Sequence, residues 1–117
     1  MKKWLSTALL TASITAVPAL ATERADIGWQ WIEQGALLVD VRTVQEFDAG
    51  HLDSALNFPL SELDRHFANI DKDTQIVLYC RSGNRSGQAY QYLRSKGFNN
   101  LHNAGGLVEM QQARRNP

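Results

Sequence analysis

The sequence predicts an α/β fold, a small central parallel sheet of four to five strands with helices on both faces. Three observations carry this expectation. Short apolar runs alternate with stretches of helical spacing along the chain beyond residue 25, the order that builds right-handed β-α-β crossovers. The strongest runs, residues 36–39 and 75–79, are near-continuously apolar, as strands covered on both faces must be. No repeat, low-complexity tract or linker interrupts the chain after residue 25, so one domain is expected.

The first stretch stands apart from that domain. Met1-Lys2-Lys3 is a basic head, Trp4 to Leu20 carries no charge, and Ala19-Leu20-Ala21 is a small-x-small site. This order predicts a cleaved leader over residues 1–21 and export to the periplasm. Ser6, Thr7, Thr11, Ser13, Thr15 and Pro18 dilute the apolar run, so no stable membrane span is expected after cleavage. The domain is then residues 22–117, 96 residues in all, enough to bury a real core without staples.

The charge balance excludes some partners. Of twelve basic and twelve acidic residues, Lys2 and Lys3 leave with the leader, so ten face twelve and the formal charge is −2. Neither nucleic acid nor an anionic membrane is an expected partner.

The elements follow in order. Residues 25–34 space Ile27, Trp31 and Ile32 as an amphipathic helix ended by Gly35. Residues 36–39 form a strand. Thr43 caps a helix over residues 44–49, with Glu46 as its capping-box partner. Residues 55–58 make a brief strand stopped by Pro59, and Ser61 caps a helix reaching about Asn69. The buried strand 75–79 leads through a tight loop to a helix from about Arg85 to Lys96, closed by Gly97. A short strand at 100–103 and a helix over 106–115 complete the chain.

Cys80, the chain's only cysteine, ends the 75–79 run and opens the loop Arg81-Ser82-Gly83-Asn84. A lone cysteine at the end of a buried strand is ordinarily a small core hydrophobe. This one lies where unpaired amides and the positive end of a helix dipole converge, beside Arg81 and Arg85, and all of these favour thiolate over thiol. The thiolate is the nucleophile. A single cysteine cannot form an internal disulfide, so in an exported chain the thiol is inert, paired between chains, or kept because it reacts.

Spacing separates the possible chemistries. Four residues lie between Cys80 and Arg85, and position 86 is serine. A cysteine-dependent phosphatase would need the wider five-residue cradle that fits a tetrahedral phosphate. A non-enzymatic carrier or binding module would use the same loop, and stays open. His51, His66 and His102 are dispersed without metal-ligand spacing, so no metal is expected. Arg42 is expected to pair with Glu46, four residues on, and His51 to make a hydrogen bond in a turn beside the site.

At this point the residues carry a resemblance. Asp40-Val41-Arg42, then Glu46-Phe47, then the run from Gly50-His51 to Phe58-Pro59 resemble the opening motif of single-domain rhodaneses. Cys80-Arg81-Ser82-Gly83-Asn84-Arg85-Ser86 resembles that family's active-site loop, and Asn103-Ala104-Gly105-Gly106-Leu107 its closing motif. With the leader and short N-terminus, the chain is most similar to the small periplasmic rhodaneses of the phage-shock type. Two departures, Asp53-Ser54 where a glycine often precedes the alanine and Met110 where many members have tryptophan, leave the loop untouched.

The resemblance implies a rhodanese-like fold and a thiosulfate sulfurtransferase without a cofactor. Cys80 would take a sulfane sulfur from thiosulfate, release sulfite, and pass the sulfur from a persulfide to cyanide or a thiol. Arg81, Ser82, Gly83, Asn84, Arg85 and Ser86 would bind the donor through their amides and two cations. Asp40, Arg42, Glu46, His51, Gly105 and Gly106 would support that loop, with Asn103, Gly105 and Gly106 letting a loop pass close to it. A monomer is expected.

Overall fold

The computed structural model describes the backbone of residues 16–115 and the side chains of residues 23–114. The leader expected over residues 1–21 lies outside the described residues, apart from the backbone of 16–21. The order is α1 (Ala16–Glu33), β1 (Leu37–Asp40), α2 (Val44–Ala49), β2 (Leu56–Asn57), a 3-10 turn (Leu60–Glu62) running into α3 (Leu63–Phe67), β3 (Ile76–Cys80), α4 (Asn84–Ser95), β4 (Leu101–Gly106) and α5 (Leu107–Arg115). Four parallel strands form one sheet in the order β2-β1-β3-β4.

The apolar run 76–80 takes one of the two central positions because it has no polar face to offer water; all five of its residues are buried. Side chains alternate across the sheet. Ile76, Leu78 and Cys80 join Val39, Val41, Leu63, Phe67, Ala89 and Leu93 on the α3/α4 face. Val77 and Tyr79 meet Leu38, Ala25, Met110 and Ala113 on the α1/α5 face. Each fully buried aliphatic or aromatic side chain contributes about 1.5–3 kcal/mol, so two layers of this kind hold a chain of this size. Cys80 ends β3 on the α4 face, at the carboxyl edge where parallel sheets place their ligands.

The boundaries differ from expectation in three instructive places. α1 begins at Ala16 rather than residue 25. Ser61 caps nothing: it lies inside the 3-10 turn entered from Pro59, and neither that turn nor α3 has a side-chain cap. The fixed φ of proline starts the turn where a cap was expected. β4 runs through Gly105 and Gly106 instead of stopping at Asn103, because Ala104 is an extra residue opposite the Leu78–Tyr79 step, and past this bulge Tyr79 pairs with Gly105 and Cys80 with Gly106. The expected loop near Cys80 is therefore a strand.

Candidate active site

Cys80 is 1% exposed, which alone would suit an inert core thiol. Its surroundings argue otherwise. The chain leaves β3, turns through Arg81 and Ser82, and passes Gly83 with φ +98°, a left-handed conformation that side-chain-bearing residues rarely adopt. That turn folds the following amides back onto the sulfur. The Gly83 N–H donates to Sγ at 3.1 Å, and the Ser86 N–H and hydroxyl stand 3.4 Å from it. Gly83, at the N-cap of α4, offers no side-chain cap, so the sulfur takes that role for the helix's third amide. Burial pushes the thiol up, but hydrogen bonds from the Ser86 hydroxyl and from the Ser86, Ser82 and Gly83 amides outweigh it, and the net shift is downward.

β4 fastens this loop from the side. The Asn103 Nδ2 donates to the Gly83 carbonyl at 3.0 Å, while its Oδ1 accepts from the Ser86 hydroxyl at 2.7 Å and from the Gly105 amide at 3.1 Å. The Ser86 hydroxyl has one proton, so it serves Asn103 or Sγ at any instant. At Gly106 there is room for nothing larger, since a Cβ there would strike the Arg81 carbonyl.

The charges sort differently from expectation. Arg42 does not pair with Glu46. It forms a buried ion pair with Asp40, Nη2 to Oδ2 at 2.6 Å, and its Nη2 also donates to the Gly50 carbonyl at 2.7 Å. Two residues apart in extended chain, the two side chains share a face, and Asp40, fully buried, needs a cation beside it. Glu46 instead takes Arg85 bidentately at 2.7 and 2.9 Å while closing the capping box with Thr43. Arg85 therefore has its charge balanced, whereas Arg81 is exposed and makes no ion pair among the described residues. His51, just past the end of α2, folds back on it, its Nδ1 2.8 Å from the Phe47 carbonyl and its ring stacked on Phe47 at 3.7 Å. Ser82 and Asn84 are exposed at the mouth of the loop.

The Glu46 pairing gives a pH signature. Arg85 first, then the Thr43 amide, holds the Glu46 carboxyl down at about 2. A lowered carboxyl stabilises the fold above its unfolded value of about 4.3 and loses that contribution as pH falls through the folded value. Glu46→Gln is expected to cost about 1 kcal/mol at neutral pH, with the gap from the parent closing between about pH 4.5 and 2 in acid-unfolding curves. A gap that stayed constant down to pH 2 would assign the loss to something other than this charge.

Known proteins share this arrangement of sequence and fold. The model of the rhodanese-like domain family matches residues 25–113. The chain belongs to the rhodanese family. It is 32% identical over 104 residues to thiosulfate sulfurtransferase PspE of Escherichia coli (strain K12), covering 87% of this chain and 88% of PspE. It is 35% identical over 81 residues to thiosulfate sulfurtransferase GlpE of Pseudomonas savastanoi pv. phaseolicola, covering 69% and 76%. A solved rhodanese with anions from E. coli superposes with a TM-score of 0.59 at 34% identity, over 64% of this chain and 91% of that one.

Two clefts among the described residues, one of about 640 Å³ between the 60–65 segment and α4 and one of about 550 Å³ between α1, α5 and residues 51–54, are lined by neither Cys80 nor its loop. Two residues at the site, Arg24 and Glu109, carried no sequence signal read as functional, and Asn103, expected to pack near the loop, is also its hydrogen-bonding hub.

Proposed function

We propose that this rhodanese is a sulfurtransferase that moves a sulfane sulfur from thiosulfate, or a similar donor, to cyanide or a thiol through a persulfide on Cys80. The observation that carries the reading is the set of donors from Gly83 and Ser86 converging on one sulfur. The names of PspE and GlpE support thiosulfate as donor. The Cys80 thiolate attacks the outer sulfur of thiosulfate, the S–S bond of the donor breaks, and sulfite leaves with the bonding pair. The persulfide keeps one negative charge, which the amides from Arg81 to Ser86 cradle. Cyanide then takes the outer sulfur as thiocyanate and restores the thiolate. Splitting transfer at a covalent intermediate gives ping-pong kinetics. Arg81, without an ion pair among the described residues, draws in the dianionic donor and meets the departing sulfite, while Arg85 with Glu46 holds the frame of the loop. No cofactor or metal enters the cycle.

The chain works in this reading as a monomeric single domain over residues 22–117, exported to the periplasm; the basic head, apolar stretch and Ala19-Leu20-Ala21 support export. Among the described residues no helix is long and apolar enough to cross a membrane. A carrier that holds persulfide without turnover shares the loop, and multiple turnovers by the purified protein separate the two. Intact mass after thiosulfate treatment is expected to rise by one sulfur atom and to fall back on addition of cyanide, with thiocyanate released. An unchanged mass at saturating thiosulfate would remove the persulfide.

A further inference from the structure

Arg24, on α1, reaches across to the active-site loop from a part of the sequence that carries none of the loop's motif. Its Nη2 donates to the Ser82 carbonyl at 3.1 Å. Its Nε and Nη2 also clamp Glu109 of α5 at 2.8 and 2.9 Å, and Glu109 accepts the Gly106 amide at 3.2 Å. The fold leaves a notch for this pair. A Cβ on Gly83 would lie 2.8 Å from the Arg24 Nη2, and one on Gly105 would lie 2.6 Å from its Nε. Both glycines have φ near +100°, so two separate segments, the loop and β4, are bare where the guanidinium rests.

The peptide unit it holds is the decisive one. The Ser82 carbonyl and the Gly83 N–H belong to a single planar trans group, so they point in opposite directions. Arg24 holds the oxygen, and the N–H at the other end donates to Sγ at 3.1 Å. A cation on the carbonyl polarises the same amide toward the sulfur. We propose that Arg24, braced by Glu109, is a positioning residue for sulfur transfer, keeping the Ser82–Gly83 amide aimed at Cys80 and ready for the negative sulfur.

This rests on Cys80 being the nucleophile, and its first readout does not need turnover. Iodoacetamide alkylation of Cys80 in the full chain is followed against pH, beside kcat and KM for thiosulfate with cyanide and the thermal midpoint. Arg24→Gln is expected to move the alkylation midpoint up by about half a unit or more and to lower kcat about tenfold, less than loss of a direct donor would cost. KM is expected to change less than kcat. Arg24→Lys keeps the charge but cannot hold Ser82 and Glu109 in one fork, so it falls between, and it stands in if Arg24→Gln does not fold. Glu109→Gln loosens the clamp and moves the midpoint the same way. A wild-type midpoint in both Arg24 variants, or a loss confined to KM, would overturn the proposal and reduce Arg24 to steering or packing. A shifted midpoint in a protein that turns over no thiosulfate would keep Arg24 as the positioning residue and remove the sulfurtransferase reading instead.

Discussion

Cys80→Ser is expected to lower sulfur transfer by at least about 10⁴-fold, the scale on which loss of a covalent nucleophile is felt. The chain has no second cysteine to take over. Stability should change little. The serine hydroxyl would sit where the Gly83 amide and the Ser86 amide and hydroxyl already point, so a polar atom placed in the core finds partners instead of being stranded. A change within about 1 kcal/mol in urea unfolding is expected, alongside no sulfur gain in intact mass. Turnover near the parent rate would sink covalent catalysis at this residue, whatever the fold. A large loss of stability would mean that Cys80 serves the core more than the cradle.

Asp40→Ala is expected to have the largest effect on folding, about 3–5 kcal/mol. Asp40 is 0% exposed and Arg42 is 5% exposed, so truncating the carboxylate leaves a buried guanidinium without a counter-charge, with the Gly50 carbonyl and the face of the Tyr79 ring as its neighbours. For a domain whose total stability is on the order of 5–15 kcal/mol, that removes a large share of it. Replacing both members with apolar residues of similar volume should cost less than the single change. Urea unfolding of Asp40→Ala, Arg42→Met and the double variant checks this. A single variant within about 1 kcal/mol of the parent would show that water reaches the pair. Asp40 lies opposite Tyr79 in the β1–β3 register, one residue from Cys80, so activity is expected to fall with the fold and not before it.

Much of the site was legible because its signals are local. Thr43 and Glu46 form the expected capping box, since both partners lie within one helical turn. The Cys80 loop returns its amides to the sulfur because a strand, a left-handed glycine and a helix start follow one another within a few residues. Other expectations failed where the chain had a choice. Arg42 had two carboxylates within reach, Asp40 and Glu46. Spacing favoured the helical neighbour, yet the buried carboxylate won, because an unpaired charge costs far more inside than at the surface.

Taken alone, the sequence determined the α/β alternation, the buried central strand, and a lone cysteine set before a helix N-terminus in a rhodanese loop. These follow from periodicity and turn chemistry, which act over a few residues. Only the tertiary structure decided that Glu46 takes Arg85, that β4 runs past Asn103 through a bulge, and that Arg24 crosses from α1 to the Ser82 carbonyl. Such pairings depend on which strands lie side by side and which helices cover them. That order emerges when apolar faces are buried together, and no local pattern of residues encodes it.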